Sequence, residues 1–237
     1  MLKFFCFADV HGGALPNVAE SGLDGWLFAG DLYGRPTGNA LFIARRFARE
    51  AEDWIASRGK PVFTVRGNHD CKDGSGFFER SSEVTWGKVL PAATGLVVAG
   101  IGWHGDRFYD LPCEEYLAKY CSRVEGECAR LPAGTRVILL SHYTARLPGF
   151  VPGEWQGVGM AFDCIRALME AIRPIAAVQG HVHESFGRCV SHAGCLLVCP
   201  GPKGGVLTVD EGSAQFEPLA GQQEEQTLRA GPRHAVP

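Results

Sequence analysis

Short apolar runs alternate with polar, glycine-bearing loops along this chain. Residues 2–8 are almost wholly apolar and stop at Asp9-Val10-His11-Gly12-Gly13, which predicts a buried strand running into a loop. Residues 25–29 predict a second strand ending at Gly30-Asp31. Ile43, Phe47, Trp54 and Ile55 then recur at helical spacing, predicting a helix over about 39–57 with Asn39 as its cap. Gly59 and Pro61 stop it. Residues 61–65 predict a strand entering Arg66-Gly67-Asn68-His69-Asp70. Further strands are expected at 96–101, at 136–140 before Ser141-His142-Tyr143, and at 175–178 before Gly180-His181-Val182-His183.

Between these strands, residues 103–134 are more polar, and 113–131 suit one or two helices. A Pro/Gly-rich loop covers 147–159. A helix over about 162–172 follows, with Phe162, Ile165, Leu168, Met169 and Ile172 on one face as core packing. Three β-rich runs, 186–191, 196–199 and 206–210, come next, with a turn at His192-Ala193-Gly194. The pattern reads as one α/β domain over 1–219, with a helical insertion near 103–134. Residues 220–237 read as a flexible tail.

Composition narrows the class. With 237 residues, 46% apolar and 21% charged, the chain can bury a full core and is not disordered. The formal net charge of −3 disfavours a long nucleic acid as partner, since phosphate-gripping proteins carry a basic field. Nine cysteines are scattered with no C-x-x-C pair, which argues against a zinc knuckle and for free thiols in a reducing compartment. The opening apolar run is too short for a secretory signal, and no run approaches the roughly 18 residues of a membrane span. A cytoplasmic protein with no membrane partner is expected.

The chemistry lies in where the polar residues fall. Five predicted strands each end in a loop holding metal-ligand types: Asp9 and His11, Asp31, Asn68 and His69, His142, and His181 with His183. Open α/β sheets bind ligands at the carboxyl ends of their strands. Imidazole, carboxylate and amide donors suit manganese, iron or zinc. The set is too large for one tetrahedral ion and fits two ions sharing a carboxylate, the arrangement that clamps in-line displacement at phosphorus. Gly12, Gly30, Gly67 and Gly180 beside the donors allow close backbone approach. His104, His192 and His234 read as ordinary surface or core histidines. Arg66 reads as a surface ion pair rather than a substrate contact, and Tyr33 and Arg35 are not chosen as substrate contacts. Cys71, next to the Asn68–Asp70 loop, could be an oxidation-sensitive neighbour.

Asp9-Val-His11, Gly30-Asp31, Gly67-Asn68-His69-Asp70, Ser141-His142 and Gly180-His181-Val-His183 resemble the five ordered motifs of calcineurin-like metallophosphoesterases. The resemblance implies two facing mixed β-sheets flanked by helices, a four-layer α-β-β-α sandwich. It implies that Asp9, His11 and His183 hold a first metal. Asn68, His142 and His181 would hold a second, with Asp31 and a water or hydroxide bridging the two. His69 would face the leaving-group oxygen as a protonated acid, with Asp70 holding its ring and keeping it charged. Two divalent or trivalent ions are implied, manganese foremost, with iron or zinc as alternatives. The expected function is metal-dependent hydrolysis of a small phosphomonoester or phosphodiester by the bridging hydroxide. A nuclease and a catalytically silent interaction scaffold of the same fold are the alternatives. Substrate and oligomeric state are open.

Overall fold

The computed structural model describes residues 1–34, 40–70, 76–103, 112–148, 150–151 and 160–219, with backbone only for 40–46. The expected Asn39 cap, Arg35, Cys71, His104, His234 and the 220–237 tail lie outside the described residues, as does most of the 147–159 loop.

The first sheet is built around β1 (Leu2–Phe7), β2 (Gly25–Phe28), β3 (Val62–Thr64) and β4 (Ser82–Glu83), all parallel. The antiparallel strands β13 (Gly205–Val209) and β14 (Ala214–Pro218) extend it beyond β1. The second sheet has the order β11-β12-β10-β7-β6-β5. Its centre is parallel: β6 (Leu96–Ile101), β7 (Arg136–Ser141), β10 (Ala176–Gln179) and β12 (Cys195–Cys199). Antiparallel β5 (Trp86–Ala93) and β11 (Arg188–His192) form its edges. A two-residue parallel pair, β8 (Thr144–Ala145) with β9 (Ala161–Phe162), stands apart.

The strand alternation sorts side chains into three apolar layers. Phe4, Cys6, Ala8, Leu27, Ala29 and Phe63 face Val98, Ile138, Leu140, Val178 and Val198 between the sheets. Phe5, Phe7, Trp26 and Phe28 point the other way. They meet Phe47, Ala51 and Ile55 of α1 (Ala40–Ala56) and Phe77 and Phe78 of α2 (Gly76–Arg80). This layer is aromatic, with Phe7 and Phe28 centroids 4.7 Å apart and Trp26 and Trp54 5.1 Å apart. Both indoles find acceptors: Trp26 Nε1 donates to Glu20 and Trp54 Nε1 to the Pro16 carbonyl. On the far side, Ala99, Ile101, Leu139 and Ala177 pack on α3 (Glu114–Cys128) and α4 (Asp163–Ile172). The result is the α-β-β-α sandwich that the motif resemblance implies.

The expected strands and long helices are present. The 113–131 stretch holds a single helix, α3, whose Leu117, Cys121 and Val124 are buried, and it packs on β5, β6 and α4 as the outer layer. The elements without a clear sequence signal are short or marginal. Strand β5 contains Gly87 and Pro91 and is interrupted by register shifts; proline is tolerated there because the strand lies at a sheet edge. Strand β14 is also an edge with mixed polarity. Helix α2 spans five residues, too few to show a period. No helix among the described residues is long and apolar enough to cross a membrane.

Helix α4 ends on Arg173 in the left-handed conformation, φ 46° and ψ 60°, with its N–H bonded to the Met169 carbonyl. A Cβ is strained there. Arg173→Gly is expected to raise stability by about 0.5–1 kcal/mol, read as a higher urea midpoint. A lower midpoint would show that the Arg173 side chain contributes more than its backbone strain costs.

Candidate metal centre

The donor residues follow the C-terminal ends of β1, β2, β3, β7 and β10, and the two sheets bring these ends together at one edge. The loops after β1 and β2 are zipped side by side: Asp9 N–H donates to the Gly30 carbonyl, His11 N–H to Asp31 and Gly12 N–H to Leu32. The backbone at four donors is left-handed: φ is 56° at Asp9, 50° at His11, 59° at Asp31 and 71° at His181. Non-glycine residues rarely adopt this region, and such strain collects where a site over-determines the backbone.

Three groups of ligand atoms result, the atoms of each lying within 4.8 Å of one another. They are Asp9, His11 and His183; His11, Asp31 and His69; and Asp31, His142 and His181. Asn68 joins the last through its Oδ1, 3.0 Å from His142 Nε2. The site has a floor and a mouth. Asp9, Asp31, Asn68 and His142 are buried, whereas the His183 side chain is 42% exposed and His11 25%. His69 Nε2 is 3.8 Å from Asp31 Oδ2, the same as His11 Nε2. Proximity alone therefore does not set His69 apart from the ligands.

Glycines make this packing possible. A Cβ on Gly67 would sit 2.1 Å from Asp31 Oδ1 and 2.6 Å from His142 Cε1. One on Gly180 would meet Asp9 Oδ2 at 2.6 Å.

Asp70 acts on the backbone. Its carboxylate accepts N–H bonds from Asp31, Leu32 and Gly67 at 2.8 Å and from Tyr33 at 3.3 Å. These bonds clip the β2 loop to the β3 loop, a different job from holding the His69 ring. Burial pushes the Asp70 carboxyl up to about 6 despite these donors. Asp31 is pushed well up as well, by burial and by the facing charges of Asp70 and Asp9. Burial, with His11 beside it, pulls His69 down to about 4, so its ring is neutral near pH 7 rather than held charged.

The donor set fits cations. His142 Nδ1 faces the Ala29 carbonyl at 2.8 Å, which can only accept. The proton therefore sits on Nδ1, and burial, pulling the ring down to about 3, keeps it neutral. Its Nε2 lone pair then points at Asn68 Oδ1, and Asp31 Oδ2 lies 3.5 Å away. His11 Nδ1 likewise faces the Tyr33 carbonyl, and its Nε2 comes within 3.1 Å of His183 Nε2. Lone pairs and buried carboxylates crowded this way repel unless positive charge lies among them.

Arg66 is ion-paired as expected, but in the interior rather than on the surface. Its Nε donates to Glu83 at 2.8 Å, and its guanidinium lies 4.1 Å over Phe78. Glu83 and Thr85, which also bonds the Arg66 N–H, brace the Asn68 loop. Their separation from it in sequence gave no signal. His192 pairs with Glu170 at 3.0 Å, away from the site.

Gly67→Ala is expected to leave the fold intact and weaken metal binding at least about tenfold, read by calorimetric titration with Mn²⁺. Asp70→Asn places an amide against the same four donors and is expected to cost about 2–3 kcal/mol of stability in the metal-free protein, read by urea denaturation.

None of the curated proteins matches the chain. Solved structures of similar fold include TT1561 of Thermus thermophilus, with a TM-score of 0.57 at 12% identity, covering 92% of this chain and 98% of that one. Phosphopantetheinyl hydrolase from Mycobacterium tuberculosis aligns with a TM-score of 0.52 at 12% identity, over 84% and 89% of the two chains. Sulfate thiohydrolase SoxB of Thermus thermophilus aligns with a TM-score of 0.53 at 14% identity, over 96% of this chain and 59% of that one. The model of the calcineurin-like phosphoesterase family matches residues 2–185, a span that takes in all five donor loops. This chain belongs to the calcineurin-like phosphoesterase family.

Proposed function

We propose that this protein hydrolyses small phosphate esters, monoesters or diesters, with two metal ions. The observation that carries the reading is a chain of three overlapping donor triads: Asp9, His11 and His183; His11, Asp31 and His69; and Asp31, His142 and His181, with Asn68 beside the last. When bound, a pair of cations supplies a nucleophile at neutral pH and neutralises charge developing on the phosphoryl oxygens. Manganese suits this mixed donor set, and iron or zinc would also fit.

The chain's own residues do the rest. Asp31 belongs to the triad with His11 and His69 and to the triad with His142 and His181, so it would be the carboxylate between the two ions. Its Oδ1 is held by the His69 N–H at 2.8 Å, which leaves Oδ2 toward the imidazoles. His69 lies beside His11, with ring centroids 4.6 Å apart, and is half-buried at the mouth. There a neutral ring N–H can donate to the oxygen of the departing group and lower the cost of its developing charge. Asp70 serves the reaction by fixing the Asp31 loop. The net charge of −3 favours a small substrate over a long polyanion.

The test is hydrolysis of bis-p-nitrophenyl phosphate and p-nitrophenyl phosphate by the full chain, after manganese loading and after chelation. Turnover that manganese restores and the chelator abolishes is expected, and the ratio of the two rates shows whether the site prefers diesters or monoesters. A chain that retains no metal after loading overturns the proposal. His69→Ala is expected to lower turnover about 10²- to 10⁴-fold with both ions still present by elemental analysis. Asp31→Asn is expected to lose metal as well as turnover. Loss of both ions from the His69→Ala protein would make His69 a ligand instead.

A further inference from the structure

We propose that Tyr143 is a positioning residue for the buried half of the metal centre, setting the imidazoles of His142 and His181 through its ring and not through its hydroxyl. The inference rests on the two-ion reading above and adds a residue to it.

Tyr143 follows His142 directly and is fully buried. Its ring centroid lies 4.9 Å from His142 at an interplanar angle of 76°, and 5.0 Å from His181 at 68°. The two imidazoles are themselves 5.1 Å apart at 69°. The three rings form a nearly equilateral, edge-to-face triangle, a favoured aromatic geometry. Turning either imidazole would drive it into the phenol ring.

The phenol ring is itself held. Phe162, just before α4, backs it at 5.3 Å and 72°. Ser141 Oγ donates to the Tyr143 carbonyl at 2.8 Å. The next residue, Thr144, donates its hydroxyl to the Gly180 carbonyl at 2.7 Å, joining the Tyr143 loop to the one that carries His181. The ring thus couples two loops from different strands, each bearing one donor.

The hydroxyl has no comparable role. Tyr143 Oη is buried without a hydrogen-bond partner among the described residues, an arrangement that is destabilising in itself. A phenylalanine ring would fill the same place.

The open-side group, Asp9, His11 and His183, makes no such ring contact with Tyr143; His183 stacks instead on Phe186, 4.8 Å away. Disturbing Tyr143 should therefore separate the two ions. Ligand-orienting neighbours commonly govern about 10- to 100-fold in metal affinity.

The experiment is a calorimetric titration of the metal-free full chain with Mn²⁺, with ion content counted after desalting. The wild-type chain is expected to take up two ions; one or none overturns the two-ion reading and this inference with it. Tyr143→Phe is expected to keep both dissociation constants within about threefold. Tyr143→Leu is expected to leave the open-side ion unchanged and weaken the other about 10- to 100-fold, with a native circular-dichroism spectrum. Should that chain not fold, Phe162→Leu, which withdraws the support behind Tyr143, carries the same expectation. Two equally weakened ions, two wild-type ions, or a Tyr143→Phe protein that already loses the second ion would each overturn the proposal.

Discussion

Asp70 carries a carboxylate into the interior, where its two oxygens accept the N–H groups of Asp31, Leu32, Tyr33 and Gly67. Roughly two backbone dihedrals per residue could otherwise vary at the junction of the β2 and β3 loops. This single acceptor removes that freedom. It keeps Asp31 in the left-handed region and brings Gly67 against the Asp31 carboxylate. Asp31 in turn accepts the His69 N–H through Oδ1. The position of Asp31, which lies within reach of both His11 and His142, therefore depends on a side chain outside the donor triads.

The protein chain alone leaves the centre electrostatically unsatisfied. Burial raises the carboxyl groups of Asp31 and Asp70, the charges of Asp70 and Asp9 push Asp31 further, and burial keeps His142 neutral with its lone pair facing oxygen. Strained backbone at Asp9, His11, Asp31 and His181 adds to this. The sandwich around the edge over-determines the loops and sustains both costs. A ligand that binds only the folded arrangement stabilises it by mass action, so a cation held among these donors would also stabilise the fold.

Support for the site comes unequally from its two sides. On the side of the first sheet it is backbone and glycine: zipped loops, and Gly30 and Gly67 where no Cβ fits. On the side of the second sheet it is aromatic: Tyr143 and Phe162 against His142 and His181. The open face lies between, with His11, His69 and His183 partly exposed. Rigid floor and accessible mouth are thus built from different physics.

The parallel core strands, the donor loops at their ends and the family were all legible in the amino-acid order. These are local signals: an apolar run of strand length, then glycine beside a ligand-type side chain. Asp9, His142 and His183 stand out before any fold is known because their chemistry is written at the position itself. What each residue is paired with came only from the folded chain. Asp70 was legible as part of a motif, but its backbone clamp depends on Asp31, Leu32 and Tyr33, 37 to 39 residues away. Arg66 and Glu83 meet only because β3 and β4 pair. Tyr143 touches His181 only because β7 and β10 lie side by side. The edge strands β5 and β14 were unreadable for the same reason: their stability comes from the neighbour that each pairs with and not from their own apolar period.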